Sequence, residues 1–374
     1  MPSSPLPECP PEWKLGIDTV LALPIGGIAL IVGGADTGKT TFVNHAARAS
    51  VGSGKRTAVI DCDTGQSEIG PPGTVGVACA TAHSARLHNL KPAMTFFVGA
   101  ISPLPAALEH VTAAARAVRW ARDAGTERLL IDTPGFISGP AARRFHAALA
   151  QAISPDLIVC LDRPGTENGI SELAAFASGA RLLHLPTSDL ARAKSSAQRG
   201  LVRRTRLSAA LECAEALRLP LALPSRAGVE TVGARLGSGA PLPGHLARWV
   251  GSALRLPVVR AEIDESDLTV FVDGEGPLRR GWENDIGIVA DHFKVRSVRP
   301  LRLATAVGAY VGLMTAGGNL AGVGRFEGLA GDTDEVLVFA SIRGPVGDIR
   351  VLQFGRIRIG RDGVFGAEIR PGDM

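Results

Sequence analysis

The chain has 374 residues, 45% of them hydrophobic and 20% charged, enough apolar material for a large core and a composition that excludes a disordered or fibrous protein. Its 40 basic residues against 36 acidic leave a formal charge of +4, too little for a histone-like polycation but compatible with a local basic site. All but six of the basic residues are Arg, a bias that a G+C-rich genome explains, so position and not composition has to carry any functional reading.

At about 150 residues per domain the length predicts two domains. The first twelve residues lack a basic stretch followed by an apolar one, so no secretion signal is expected. Val20 to Gly34 is apolar but contains Pro24 and several glycines and falls short of the roughly 20 residues that cross a bilayer. Five scattered cysteines, none in a C-x-x-C spacing, suit a reducing cytoplasm and argue against a zinc ribbon or iron–sulfur cluster. The expected location is therefore cytoplasmic, with no membrane span. Trp13, just ahead of the first strand, has two readings: a cover for an adenine ring or a packed aromatic.

From residue 28 to about 225, short β-rich apolar runs alternate with Ala-rich helical stretches, the pattern of an α/β protein with a mainly parallel sheet flanked by helices. Strands are expected at Ile28 to Val32, Thr57 to Asp61, Thr95 to Val98, Arg128 to Asp132, Leu157 to Leu161 and Arg181 to Leu185. Helices are expected at Thr40 to Ser50, Leu104 to Ala124 and Ala141 to Ala152. The Gly, Pro and Ser content of Ser225 to Gly244 marks a connection. A short helix near His245 to Leu254 follows, and then alternating β-branched runs at Leu268 to Val272, Ala304 to Thr315, Glu335 to Ser341 and Arg350 to Ile359. The expected division is a first domain over 1–225, a linker with a short helix over 226–255, and a smaller β-rich C-terminal domain over 256–374.

The sharpest motif follows the first strand. Gly33-Gly34-Ala35-Asp36-Thr37-Gly38-Lys39-Thr40 matches G-x-x-x-x-G-K-[ST], a Walker A phosphate loop, with Thr41 next in the helix. Glycines let successive N–H groups face a phosphate, and the helix adds its positive N-terminal end. Lys39 is expected on the β- and γ-phosphates, and the Thr40 hydroxyl on Mg²⁺. A second segment, Asp61-Cys62-Asp63-Thr64-Gly65-Gln66, ends another strand. Alternation puts Asp61 and Asp63 on one side, where carboxylates can hold magnesium or accept a proton. The plain alternative is a solvated turn.

A third strand ends in Asp132-Thr133-Pro134-Gly135-Phe136, which on its own resembles the magnesium and γ-phosphate sensor of GTPases. A GTPase, however, needs a later strand ending in an N-K-x-D-type guanine reader, and LIVCLDR at 157–163 has none. Finally, Arg192 to Arg206 carries six basic residues and no acid. On a helix Arg199, Arg203 and Arg206 share one face and can grip phosphates; a solvated helix face is the plain alternative.

GGADTGKTT at 33–41, DCDTGQSEIGPPGTVGV at 61–77, DTPGF at 132–136, the arginine run and VGLMTAGGNLAGVGRFEGL at 311–329 together resemble the P-loop polynucleotide 5′-hydroxyl kinase family. Its members act in tRNA splicing, pre-rRNA processing and mRNA 3′-end formation. The resemblance implies transfer of the γ-phosphate of ATP, with Mg²⁺, to the 5′-hydroxyl end of RNA or DNA. It implies magnesium and base roles for Asp61 and Asp63, a substrate contact at Gln66, and a substrate- or nucleotide-holding clasp at Thr133, Gly135 and Phe136. It also implies an arginine-bearing lid, near 190–210, that uses Arg199 and Arg203. The metal would lie on Thr40 and Asp63, with the base left open between the two aspartates. Phe136 departs from the T-x-G-W of many relatives but keeps a π-face. Only about 30 residues precede the phosphate loop, so the N-terminal domain of eukaryotic relatives is expected to be absent and their protein partners are not inherited.

The rival readings are a non-catalytic ATP-binding scaffold, a GTPase or metallochaperone-like P-loop protein, and a small-molecule kinase. Both aspartates and the arginine run favour the enzyme over the scaffold. The lack of a guanine reader and of Cys/His pairs counts against the second rival, and a long basic lid would be superfluous for the third.

Overall fold

A computed structural model of the chain describes residues 8–81, 86–162, 179–188, 191–222, 228–274, 278, 280–330 and 334–370. Of the segments used in the sequence reading, residues 1–7, 163, 190 and 225–227 lie outside them. The chain divides into two compact units, Met1–Leu207 and Ser208–Met374.

In the first unit, α1 (Lys14–Leu21) leads into β1 (Gly27–Gly33), followed by α2 (Lys39–Gly52), β2 (Thr57–Asp61), β3 (Thr74–Cys79) and β4 (Met94–Phe97). Next come α3 (Ala107–Asp123), β5 (Arg128–Asp132), α4 (Pro140–Ile153), β6 (Leu157–Asp162), β7 (Arg181–Pro186) and α5 (Ser196–Ala210). The sheet runs β4-β3-β2-β5-β1-β6-β7. β2, β5, β1, β6 and β7 are parallel, and β3 joins β2 antiparallel and pairs in turn with β4.

Side chains of the central strands alternate between two cores. Ile28, Leu30 and Val32 of β1 pack with Ala113 and Ala117 of α3 and with Leu149 of α4, whereas Ala29 and Ile31 pack with Val20, Phe42 and Val43 on the α1–α2 face. Burial on both faces is what makes these strands continuous apolar runs and not alternating ones. The sequence reading listed no strand at 74–79, because Thr-Val-Gly-Val-Ala-Cys has a glycine at its centre. Gly76 is required there: a Cβ would lie 1.9 Å from the Ile69 carbonyl oxygen, so the 61–70 loop closes directly onto β3.

In the second unit, β8 (Glu215–Pro220), β9 (Glu230–Val232), β10 (Ala240–Pro241), α6 (Gly244–Leu254), β11 (Val258–Asp264) and β12 (Asp267–Val272) come first. They are followed by α7 (Ile286–Phe293), β13 (Ser297–Arg302), α8 (Leu303–Ala306), β14 (Ala309–Thr315), β15 (Leu320–Leu329), β16 (Glu335–Ile342), β17 (Ile349–Ile359) and β18 (Phe365–Glu368). One sheet is β10-β11-β12-β13; the larger runs β18-β17-β14-β15-β16-β8, with β9 on β17. The unit is thus β-rich, as expected. β8 pairs along β16, from Glu335 opposite Pro220 to Ala340 opposite Glu215, so this unit begins before the Gly/Pro-rich stretch. That stretch carries β9 and β10, and its glycines serve turns such as Gly233 at φ 84° and Gly237 at φ 76°. Residues 304–315, read as one strand, split at Gly308 into α8 and β14, because Gly308 sits at φ 85°.

Candidate active site

Three strand ends of the first unit arrive side by side. In the parallel register Ile31 of β1 lies opposite Asp132 of β5, and Asp132 lies opposite Asp61 of β2. The chain leaves β1 through the phosphate loop, where Asp36 and Gly38 take left-handed φ values of 59° and 94°. A Cβ at Gly38 would come within 2.9 Å of the Trp13 ring. Trp13 is fully buried, packs edge-on against Phe42 and donates from Nε1 to the Pro186 carbonyl (2.8 Å). It is a wall behind the loop and not an adenine cover.

Lys39 opens α2 and is only 6% exposed. Its Nζ donates to the Gly34 carbonyl (2.7 Å), folding the side chain back over the loop it would share with phosphate. Burial pushes its pKa below the usual lysine value, against the pull of Asp132, Asp63 and Asp36. Thr40 Oγ1 donates to Asp132 Oδ2 (2.6 Å), and the second carboxylate oxygen of Asp132 is buried with no hydrogen-bond partner among the described residues. Burial raises the Asp132 pKa to about 7, with Lys39 and the Thr40 hydrogen bond opposing and the Asp63 and Glu68 charges adding to the rise. The sequence reading did not include Asp132 in the site. Its signal was present: a buried apolar strand ending in an acid, as Thr57 to Asp61 also does.

The two aspartates expected to act together are separated by their surroundings. Asp61 is 1% exposed, and its Oδ1 accepts from the Asp63 N–H (3.0 Å). Its Oδ2 accepts from the N–H groups of Glu68 and Ile69, the latter at 3.0 Å, and from the Ser67 hydroxyl (3.4 Å). Burial first, then the charges of Asp132 and Asp63, raise its pKa well above the usual carboxylate range. Asp61 is committed to shaping the 61–70 loop. Asp63 accepts from the N–H groups of Gly65 and Gln66 (3.1 and 3.0 Å) in a local turn and lines the open cavity over the phosphate loop. The strand ends at Asp61, so the alternation that put both carboxylates on one side stops before it reaches Asp63.

The clasp divides in the same way. Thr133 is fully buried and donates to the Ile31 carbonyl (2.7 Å), which fastens β5 to β1. Gly135 lines the cavity and lies so close to the phosphate loop that a Cβ would sit 2.7 Å from Ala35 Cα and N. Phe136 is half-buried and is not among the cavity-lining residues.

From Ser196 on, the arginine run forms the start of α5, with Arg192 and Lys194 ahead of the helix, which a local box opens: the Gln198 N–H donates to Ser195 Oγ (3.1 Å) while the Ser195 N–H donates to Gln198 Oε1 (2.8 Å). Its basic face meets acids of the phosphate-loop side. Asp36 Oδ2 accepts from the Lys194 N–H (3.0 Å) and lies 3.5 Å from Arg199 Nη2, and Arg206 Nη2 pairs with Glu68 (2.9 Å). Burial and the neighbouring Arg199 lower the Arg203 pKa, and Asp63 opposes them. Gln66 reaches the Arg199 carbonyl through Nε2 (3.4 Å). The result is a cavity of about 240 Å³ walled by residues 35–41, Asp63, Gln66, Gly135, Ala191, Arg192, Lys194 and Arg199. Ala191, Arg192 and Lys194 were not assigned to the site from sequence; their place in it depends on where the lid lies.

A glycine-lined loop at a helix start, a buried lysine, a threonine–aspartate pair and a basic helix over one cavity define a P-loop protein built for nucleoside triphosphate chemistry. Residues 33–209 match the family model described as mRNA cleavage and polyadenylation factor CLP1 P-loop. A polyribonucleotide 5′-hydroxyl-kinase of Pyrococcus horikoshii is 27% identical over 363 residues, covering 95% of this chain and 92% of that protein. A namesake from Pyrococcus furiosus is 26% identical over 368 residues, covering 95% and 94%. The solved complex of Clp1p with Pcf11p shares the fold, with a TM-score of 0.56 at 11% identity over 93% of this chain and 78% of that one. These likenesses, two of them over 95% of the chain, support the P-loop polynucleotide 5′-hydroxyl kinase family.

Proposed function

We propose that the chain is an ATP-dependent polynucleotide 5′-hydroxyl kinase that transfers the γ-phosphate of ATP to the 5′-hydroxyl end of RNA, and of DNA where the site accepts it. The observation that carries this reading is the cavity in which Lys39, Thr40, Asp63 and Arg199 converge. The names of the archaeal relatives favour RNA as the acceptor.

Residues 33–41 would cradle the triphosphate through backbone N–H groups, with Lys39 moving from the Gly34 carbonyl onto it. The hard oxygen donors Thr40 and Asp63, with Asp132 and its unpartnered buried oxygen beside Thr40, fit magnesium, which takes one or two carboxylates and keeps several waters. Bound there, magnesium supplies charge neutralisation on the phosphate oxygens. Of the cavity's two carboxylates Asp36 is engaged by Lys194 and Arg199, so Asp63 aligns the attacking hydroxyl and accepts its proton. Arg199 and Arg203 offset charge on the transferring group. Gln66 and the Gly135–Phe136 turn contact the acceptor end, while Thr133 holds that turn in place. The free cysteines and the absence, among the described residues, of a helix long and apolar enough to cross a membrane support a cytoplasmic location.

The test is transfer of labelled γ-phosphate from ATP to 5′-hydroxyl RNA and DNA oligonucleotides, comparing wild type with Lys39→Ala and Asp63→Ala. Transfer by the wild type and its loss in both variants is the expected result. ATP binding without transfer to any oligonucleotide would overturn the reading in favour of a nucleotide-binding scaffold.

A further inference from the structure

Two buried histidines stand behind the cavity, outside every role assigned above. His110, near the start of α3, is fully buried, and His146 in α4 is 2% exposed. His110 Nε2 lies 2.8 Å from the Cys62 carbonyl oxygen, in the peptide that links Cys62 to Asp63. His146 Nε2 lies 2.9 Å from the carbonyl oxygen of Phe136, in the clasp. A carbonyl only accepts, so both imidazoles carry their proton on Nε2 and donate it. Phe145 stands between them, edge-on to each, with ring centroids 5.0 Å from His110 and 5.2 Å from His146.

The two supported loops also touch one another. The Cys62 N–H donates to the Asp132 carbonyl (2.9 Å), so the Cys62 backbone is held from β5 through its N–H and from α3 through its carbonyl, which belong to the two peptide groups flanking its Cα. Ile137, the residue after Phe136, packs 3.5 Å from where a Cβ on Gly34 would stand. Burial drives both histidines down to about 4; His146 adds to this at His110, and Lys39 adds to it at His146. Both rings therefore stay neutral around neutral pH, as a donor in an apolar layer must. A leucine would fill the same space. What it would lack is the N–H aimed at the carbonyl, so packing alone does not account for a polar ring at either position.

We propose that His110 and His146, with Phe145 between them, are positioning residues that fix the Asp63-bearing loop and the clasp against the phosphate loop. The role rests on the kinase reading for its consequence in turnover, but the positioning itself is structural and is measured separately. Neither residue touches nucleotide or acceptor; each acts through a backbone carbonyl one residue from a cavity-lining group. A misplacement of about 1 Å in such a group costs on the order of 10²-fold in rate.

The experiment compares His110→Leu, His110→Gln, His146→Leu and His146→Gln in the full chain. Glutamine keeps an amide N–H donor at a reach similar to Nε2. The Leu variants should lose roughly tenfold to 10²-fold in kcat with the KM for ATP changed less than about threefold, and the Gln variants should recover most of the loss. Amide hydrogen exchange should rise over 61–70 in His110→Leu and over 132–137 in His146→Leu, and return toward wild type with Gln. Leu variants with wild-type exchange in those loops would overturn the proposal, as would exchange raised evenly over the whole chain. So would a kcat loss that Gln leaves unrepaired. If the wild type transfers no phosphate, the kinase reading fails, and exchange in the two loops still decides whether the histidines position them.

Discussion

The Thr40 hydroxyl donates to Asp132 across 2.6 Å, joining the first turn of α2 to the end of β5. The buried carboxyl of Asp132 has its pKa raised to about 7. A carboxyl whose folded pKa exceeds its unfolded one stabilises the fold when protonated, and that stability is lost as pH rises from about 4 through about 7. The shift from 3.8 to about 7 corresponds to on the order of 4 kcal/mol. Asp132→Asn should therefore melt higher than wild type at pH 8, with the gap shrinking toward pH 5, while phosphate transfer falls on the order of 10²-fold or more. Thermal melts at the two pH values, alongside label transfer, check both halves; a variant that melts lower at pH 8 than at pH 5 relative to wild type contradicts the first.

Asp61 and Asp63 are two residues apart but sit in different surroundings, the first buried under loop N–H groups and the second lining the cavity. Asp63→Asn should lower kcat by roughly 10²- to 10⁴-fold with ATP binding retained, as expected for loss of a base. Asp61→Asn exchanges an acceptor oxygen for an NH₂ group that cannot receive the N–H bonds of Glu68 or Ile69. It should lower the melting temperature and loosen the loop, costing about 1–3 kcal/mol. Melting and single-turnover transfer on the two variants separate these outcomes. Equal loss of transfer with unchanged melting in both would put the aspartates back in one shared role.

Asp36 holds the lid from the phosphate loop itself through Lys194 and Arg199. Nucleotide phosphate and Asp36 therefore compete for the same guanidinium. The pair is partly exposed, worth about 0.2–1 kcal/mol, so Asp36→Asn should raise amide exchange over 191–206 and change ATP affinity by no more than about fivefold. If lid charge acts on the transferring group, as proposed, Arg199→Ala and Arg203→Ala should slow turnover more than they weaken ATP binding. Titration of ATP binding alongside kcat distinguishes this from a lid that only retains nucleotide, for which both quantities fall equally.

Local signals were legible in the sequence. The strands at Thr57 to Asp61 and Arg128 to Asp132 begin and end where the apolar runs do, and the phosphate loop announces itself because its glycines, lysine and threonine act within eight residues. The face shared by Arg199, Arg203 and Arg206 follows from helical spacing alone. Their carboxylate partners did not follow, because Asp36 and Glu68 meet them only after the sheet has folded. Thr133 reads as a substrate contact from its motif, yet its hydroxyl is spent on Ile31, 102 residues away. Asp132 gains its meaning from the register that sets it beside Ile31 and Asp61. The histidines show no motif at all, since a carbonyl partner leaves no mark in sequence.

Gly135 gives the most direct test of how closely the clasp and the phosphate loop must approach. The atoms that a Cβ would meet at 2.7 Å are the Cα and N of Ala35, backbone that can yield only if the phosphate loop shifts. Overpacking of this kind costs about 1–3 kcal/mol, and here the strain falls on the N–H groups that would bind phosphate. Gly135→Ala should lower the melting temperature by a few degrees and weaken ATP binding by roughly tenfold or more, with the loss in kcat/KM tracking the loss in affinity. Gly139→Ala is the control: that glycine has nothing within 4 Å of a Cβ, though its φ of 87° strains any side chain. It should share the drop in melting temperature and keep wild-type ATP affinity. Equal affinity losses in the two variants would mean that general loosening of this segment, and not contact with Ala35, governs ATP binding, because only Gly139 has a left-handed φ.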